Sequence, residues 1–466
     1  MKKNPFLLLA VLFLCLCLSS GLLTGCGADN CGLDPDKPVT LTMWHNFGGI
    51  MQQSMDELID EFNSTVGKEK GIIINVTAIS SSSELRKQYD MILNGDPGSA
   101  AMPDLLTCYP KTAVQFHEKG MIADLDEYFT KDELSAYVPQ FLEEGRLPDG
   151  GLYVFPFAKS TEILYVNQTL FDRFAKETGA TIDSLHTFEG IADAARKYYQ
   201  WTDAKTPAIP DDGKSFFAAD SWLNLAQAGM RQQGGSLFED EKLSLASPDF
   251  QRIWDIIWPP AVEGGFAVYD GYSSDLSKTG DLVCSTGSSA GILFYGDTIT
   301  YADNTVEQVE YNILPFPVFQ GAQKIAIQRG NGFSVAKSDK THEYAGAVFL
   351  KWFTQPEPNM RFIASTGYMP VTNTAFTEGM QKEIQQVKDP RIQKMLTAVT
   401  KMHSEYQFFV APVFDDFDNL GKAFETSLKE QLRKDRADWL RDKNADLQKK
   451  AAEGLEAFAA HQPDSF

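Results

Sequence analysis

Between residues 39 and 107 the apolar pattern changes period repeatedly, and this narrows the fold more than any other feature of the chain. Val39-Thr40-Leu41-Thr42-Met43-Trp44 alternates apolar with polar, the period of a half-buried strand. Met55, Leu58, Ile59 and Phe62 then fall at i, i+3, i+4 and i+7, the stripe of an amphipathic helix. Ile72-Ile73-Ile74-Asn75-Val76 reads as a second strand, 84–94 as a second helix and Pro103-Asp104-Leu105-Leu106-Thr107 as a third, short strand. Strand–helix–strand–helix–strand predicts parallel pairing with right-handed crossovers, an α/β layer. The chain has 466 residues, enough for about two or three folded units. Its 43% hydrophobic and 12% aromatic content can fill sizeable cores, which excludes global disorder. Sixty-three acids against 42 Lys and Arg, a net charge of -21, argue against a nucleic-acid partner, which needs basic faces to displace counterions.

The N-terminus carries a second strong signal. Lys2 and Lys3 precede an uninterrupted apolar run from Phe6 to Leu18. The run suits the core of an export signal and is shorter than the ~20 residues of a membrane-spanning helix. Leu23-Thr24-Gly25-Cys26 resembles the lipobox of bacterial lipoproteins. That resemblance implies cleavage before Cys26, a diacylglycerol on its sulfur, and anchorage in the lipid bilayer at the outer face of the cytoplasmic membrane. Residues 26–37, rich in Gly, Asp, Asn and Pro, read as a flexible tether. Cys31, Cys108 and Cys284 then remain, with no CxxC spacing for a redox or zinc motif. Cys108 and Cys284 read as buried free thiols, with a disulfide between them as the alternative.

Helix signals continue downstream. Thr130-Lys131-Asp132-Glu133 is a capping box, and Ser247-Pro248-Asp249 places an N-cap before a proline at the first helical position. Ala345, Val348, Phe349, Trp352 and Phe353 share one helical face, and 418–460 reads as charged, exposed helices covering a lobe. Open α/β sheets bind ligands at the carboxyl ends of their strands. At two such ends, Trp44-His45-Asn46-Phe47 and Cys108-Tyr109-Pro110-Lys111, an aromatic ring stands beside polar groups.

The ordered set VTLTMWHNF (39–47), PDLLTCYPKTAVQFHEKGMIADLDEYF (103–129), GGLYVFPFAKSTEILYVNQTLF (150–171), NILPFP (312–317), GNGFSVAK (330–337) and AVFLKWFTQPE…FIASTGYMPV (347–371) resembles the extracellular solute-binding proteins of ABC importers. Among these it is similar to the large sugar-binding, maltose-binding-like group. The resemblance implies a two-lobed periplasmic-binding-protein-like α/β fold (type II), with hinge-connected lobes and a ligand cleft between them. It would put 38–157 and 280–326 in the first lobe and 158–279 and 327–466 in the second. It implies a binding site at Trp44, His45, Asn46, Tyr109, Lys111 and Ser160, with Trp222 as the ring of the second lobe. Ser288 falls where the family commonly offers an aromatic, so that stacking platform is missing or has moved to Tyr295. Gly330 and Asn331 match a hinge crossing, and Arg329 beside them reaches toward the cleft. The partners implied are a small-molecule sugar and the transmembrane subunits of an ABC permease. The six histidines show no HExxH or H-x-H spacing, and there is no Walker A or Rossmann glycine loop, so neither a metal nor a cofactor is expected.

These residue types suit a saccharide. Its C–H faces stack on Trp and Tyr, and each buried hydroxyl needs a partner or costs about 1–3 kcal/mol. Lys111 and Arg329 keep glycerol phosphate or another anionic solute open. An enzyme is the contrasting class. Gly287-Ser288-Ser289-Ala290-Gly291 fits G-x-S-x-G, with Asp297 and His342 following in hydrolase order, but Ile292-Leu293-Phe294-Tyr295 is a poor exposed helix start. A surface glycan hydrolase would otherwise need two suitably spaced carboxylates, which 63 acids do not exclude.

Overall fold

The alternation read at residues 39–44 extends to His45. In the strand Val39–His45 the buried positions are Leu41, Met43 and His45. The computed structural model describes residues 31–79 and 81–462. The first sheet runs in the order Ile72–Ala78, Val39–His45, Leu105–Cys108, Gly332–Val335, Phe155–Pro156. Its first three strands pair in parallel, as the strand–helix–strand pattern requires, and Gly332–Val335 inserts antiparallel. Helix Ile50–Ser64 buries Met55, Leu58, Ile59 and Phe62, the stripe read from the sequence.

The second sheet runs Gln407–Val410, Ile325–Arg329, Ser160–Asn167, Cys284–Ser288, Phe217–Ala219, with Tyr311–Pro315 also paired to Ser160–Asn167. Every residue of Ser160–Asn167 is buried, as expected for a central strand covered on both faces. Thr130 and Glu133 form the reciprocal capping box, and Ser247 caps helix Pro248–Glu263. Helices Phe417–Arg441 and Leu447–Ala460 close the second lobe. Trp254 and Trp258 donate from their indole nitrogens to the Ala451 carbonyl and the Asp435 carboxylate, each at 2.8 Å. No helix among the described residues is long and apolar enough to cross a membrane.

Two boundaries differ from the sequence reading. Cys284–Ser288 and Tyr311–Pro315 belong to the second sheet, so 280–326 goes with the second lobe rather than the first. Conversely Gly332–Val335 and helix Lys340–Phe353 belong with the first lobe, the latter through Phe349 packed on Phe62 at 5.2 Å. The chain crosses between lobes three times, as the sequence division implies, but two of the crossings fall elsewhere. It passes at 157–159, at 330–331, and between helix Pro356–Thr366 and helix Pro390–Glu405. This last helix packs on Tyr311–Pro315, where Lys394 donates to the Tyr311 carbonyl. Gly330 has φ 97°, and a Cβ there would stand 2.9 Å from the Ala158 carbonyl oxygen, so the second crossing admits glycine alone without strain.

The tether also differs. Leu33 is 6% exposed within the main core, and Thr341 donates to the Cys31 carbonyl, so residues 31–37 lie on the first lobe. The signal segment 1–25 and Cys26 lie outside the described residues. Cys108 and Cys284 are free, buried thiols in separate hydrophobic clusters. Burial pushes the Cys108 thiol up to about 12 and holds that of Cys284 well above the ordinary thiol value.

Candidate functional site

A cleft between the two sheets holds two adjoining cavities of 380 and 550 Å³. Arg86, Tyr109, Lys111 and Glu144 wall the first cavity from one side. Ser160, Asn224 and the segment 410–413 face them. Asp220, Tyr272, Asp275, Lys278 and Phe294 surround the second, and Ser288, Ala290, Arg329 and Tyr368 line both. Tyr109, Tyr272 and Phe294 are 49%, 70% and 58% exposed, so their ring faces are free for a ligand.

Secondary structure fixes the polar groups. The antiparallel register sets Glu162 opposite Ser288, beneath the junction of the cavities. Glu162 is wholly buried, and its Oε1 accepts from Asn224 Nδ2 at 2.6 Å and Arg329 Nη1 at 3.2 Å. Its Oε2 has no hydrogen-bond partner. Burial raises the Glu162 carboxyl above the ordinary carboxylate range, with the nearby Arg329 charge pulling the other way. Asp220, between strand Phe217–Ala219 and helix Trp222–Gln232, accepts from the Ser273 amide at 3.0 Å and hydroxyl at 3.1 Å. Lys111, in the first turn of helix Pro110–Glu118, donates across the cleft to Asp418 Oδ2 at 2.8 Å and the Asp415 carbonyl at 3.0 Å.

Of the residues expected at the site, Tyr109, Lys111, Ser160, Ser288, Tyr295, Arg329 and Gly330 line the cavities. The others do not. Trp44 stacks on Tyr89 with ring centroids 6.2 Å apart, within the second core cluster. His45 has no exposure; its Nδ1 accepts from the Phe47 amide and burial lowers its pKa to about 4. Asn46 donates to the Ser82 hydroxyl at 2.5 Å. Trp222 is 1% exposed, packed against Phe266. Asn331 is 4% exposed at the crossing. Tyr295, expected as a stacking platform, borders the second cavity but is 3% exposed. Its ring lies on Tyr165 at 4.0 Å and its hydroxyl bonds Ser285 and Ser273, while its neighbour Phe294 faces out.

The sequence reading missed Glu162, Asp220, Asn224, Tyr272, Phe294, Tyr368 and the segment 410–418. A glutamate in the apolar strand STEILYVN was the one available signal. The hydrolase pattern dissolves in three dimensions. Ser289 is fully buried at the start of the 3-10 turn Ser289–Phe294, its hydroxyl accepting from the Thr161 amide at 3.5 Å. His342 sits in a helix of the first lobe, bonded to Asp339 at 2.7 Å.

Residues 57–392 match the family model of the bacterial extracellular solute-binding proteins. The chain belongs to that family. Two curated relatives show its range. The sn-glycerol-3-phosphate-binding periplasmic protein UgpB of Brucella abortus (strain 2308) is 23% identical over 406 residues, 83% of this chain and 87% of that protein. The maltotriose-binding protein of Pyrococcus abyssi is 24% identical over 288 residues, 59% of this chain and 56% of its own. Among solved structures, the cyclic alpha-maltosyl-1,6-maltose binding protein from Arthrobacter globiformis superposes with a TM-score of 0.67 at 16% identity, covering 91% and 99% of the two chains. UgpB from Mycobacterium tuberculosis in complex with glycerophosphocholine gives 0.62 at 16% identity, over 91% and 98%. These matches fix the two-lobed fold. Membership makes the protein an extracellular substrate-binding protein with a small-molecule ligand and an ABC permease as partner.

Proposed function

We propose that this binding protein captures a neutral polyhydroxyl solute, a sugar or oligosaccharide, in the interlobe cleft. It closes on that solute and delivers it to the transmembrane subunits of an ABC importer, while a diacylglycerol on Cys26 holds it at the outer face of the cytoplasmic membrane. One observation carries the ligand class: every cation lining the cleft already faces a carboxylate. Arg329 pairs with Glu162 at 3.2 Å, Lys111 with Asp418 at 2.8 Å, Lys278 with Asp275 at 3.0 Å and Arg86 with Asp90 at 3.6 Å. An entering phosphate must compete with one of these acids, whereas a hydroxyl only adds to the spare N–H groups of the guanidinium. Tyr109, Tyr272 and Phe294 offer ring faces to sugar C–H surfaces, and Ser160 and Ser288 offer hydroxyls. The likeness to proteins named for binding maltotriose and a cyclic maltosyl-maltose supports this reading.

The second reading is a glycerol phosphate or a related anion. It is favoured by the curated relatives named for sn-glycerol 3-phosphate and by the gathering of Arg86, Lys111 and Arg329 in one cavity. Scanning fluorimetry against oligosaccharides, polyols, sn-glycerol 3-phosphate and glycerophosphocholine separates the two. A ligand at a hundred times its Kd adds about 2.7 kcal/mol to stability, a readily visible rise in Tm. The expected rise comes from a neutral saccharide recovered chemically unchanged. A larger rise from sn-glycerol 3-phosphate that disappears in Arg329→Ala would transfer the assignment to the anion, and shortened glycan products would transfer it to a hydrolase. For the anchor, Cys26→Ser is expected to move the protein from the membrane fraction to the medium. Equal fractionation of the variant and the parent would remove lipidation from the account.

A further inference from the structure

Glu162 poses a problem that ligand contact alone does not solve. It occupies the central strand Ser160–Asn167, where every position is buried, and an apolar residue of similar volume would serve the fold better than a carboxylate with one unpartnered oxygen. Yet the residues around it, Asn224, Ser288 and Arg329, all line the cleft. Of the four residues shared by both cavities, Arg329 is the charged one, so a ligand anywhere in the cleft senses its charge. The other cleft cations pair with acids that are at least 49% exposed, where salt and solvent leave little of the pairing. Arg329, itself 39% exposed, is the one of the four whose partner has no exposure, so its pairing is the least screened of the cleft cations.

The geometry points to Glu162 as the positioning residue that sets the charge preference of the cleft: it holds the Arg329 guanidinium against the floor and cancels its charge. N–H donors remain for hydroxyls, while a phosphate is denied an uncompensated cation. The inference rests on the neutral-solute reading above and names the residue responsible for it. Glu162→Gln keeps the shape and an acceptor for Arg329 but removes the charge. Isothermal titration with sn-glycerol 3-phosphate is expected to show about tenfold tighter binding to Glu162→Gln than to the parent, because the phosphate gains a charge-assisted partner. That gain should shrink as salt is raised. Glu162→Asp, which keeps the charge but draws it back from Arg329, should give a smaller gain in the same direction and carries the test if Glu162→Gln does not fold. A purely structural Glu162 would lower the melting temperature and leave phosphate affinity unmoved. Equal affinity of parent and folded variants for sn-glycerol 3-phosphate, including none in any of them, overturns the inference. Tight binding of that ligand by the parent itself would instead strike the neutral-solute reading, and a further gain in the variants would still uphold the role of Glu162.

Discussion

Lys159→Met is expected to lower the free energy of unfolding by about 3–5 kcal/mol, because it strands a buried carboxylate. Lys159 and Glu144 are 4% and 7% exposed, with Nζ and Oε2 2.6 Å apart. Glu144 also accepts from the Gln328 amide, and Lys159 Nζ donates to the Gly330 carbonyl at 3.1 Å. The position matters as much as the pair. Lys159 lies on the first crossing between lobes, Gly330 on the second, and Met369 exchanges backbone hydrogen bonds with Lys159 beside the third. One ammonium therefore fastens the hinge strands to one another and to Glu144 of the first lobe. Hinge motion is absorbed by a few residues at the ends of otherwise rigid elements, so loosening this knot should also broaden the range of interlobe angles. Denaturant unfolding followed by tryptophan fluorescence checks the first claim, and solution scattering the second. Adding Glu144→Leu to Lys159→Met should recover much of the lost stability, since exchanging a whole buried pair for apolar side chains is often neutral or better. A single-variant loss below about 1 kcal/mol would show that the pair is not what holds the hinge.

The sequence made the first sheet plain because its strands and helices alternate locally and their periods are clean. It did not reveal the lobe boundaries, because Cys284–Ser288, Tyr311–Pro315 and Gly332–Val335 are short strands whose sheet membership depends on distant partners. Some site errors were avoidable in principle. The two-residue period that identified the first strand puts His45 on the same inward face as Leu41 and Met43. Likewise Trp222, Leu225, Ala226, Gly229 and Met230 follow helical spacing and are all buried in Trp222–Gln232, which marks Trp222 as core. The choice between Tyr295 and Phe294 had no such cue. It depends on where the 3-10 turn Ser289–Phe294 ends, and a turn of six residues leaves no periodicity to read. Arg329 was legible as a cleft residue, but its contact with Glu162 was not, since the two are brought together by the antiparallel pairing of Gln328 and Arg329 with Thr161 and Ser160, strands far apart in the sequence.

The aromatic residues give the sharpest separation of folding from binding. Trp222→Ala is expected to destabilise the protein by about 3–5 kcal/mol, the cost of truncating a large core side chain whose surroundings only partly collapse. Its ring is 1% exposed, 6.4 Å from that of Phe266, and lines neither cavity. Under conditions where this variant is folded, its ligand affinity should match the parent. Phe294→Ala should do the reverse. Its ring is 58% exposed at the second cavity, so removal costs the fold within about 0.5 kcal/mol, while a lost stacking face weakens saccharide binding by roughly 1 kcal/mol. Paired measurements of unfolding midpoint and dissociation constant on both variants test the cleft map directly. Should Trp222→Ala abolish affinity at unchanged stability, or Phe294→Ala melt the protein while binding normally, the rings would have exchanged roles and the ligand would have to lie deeper in the second lobe than the two cavities allow.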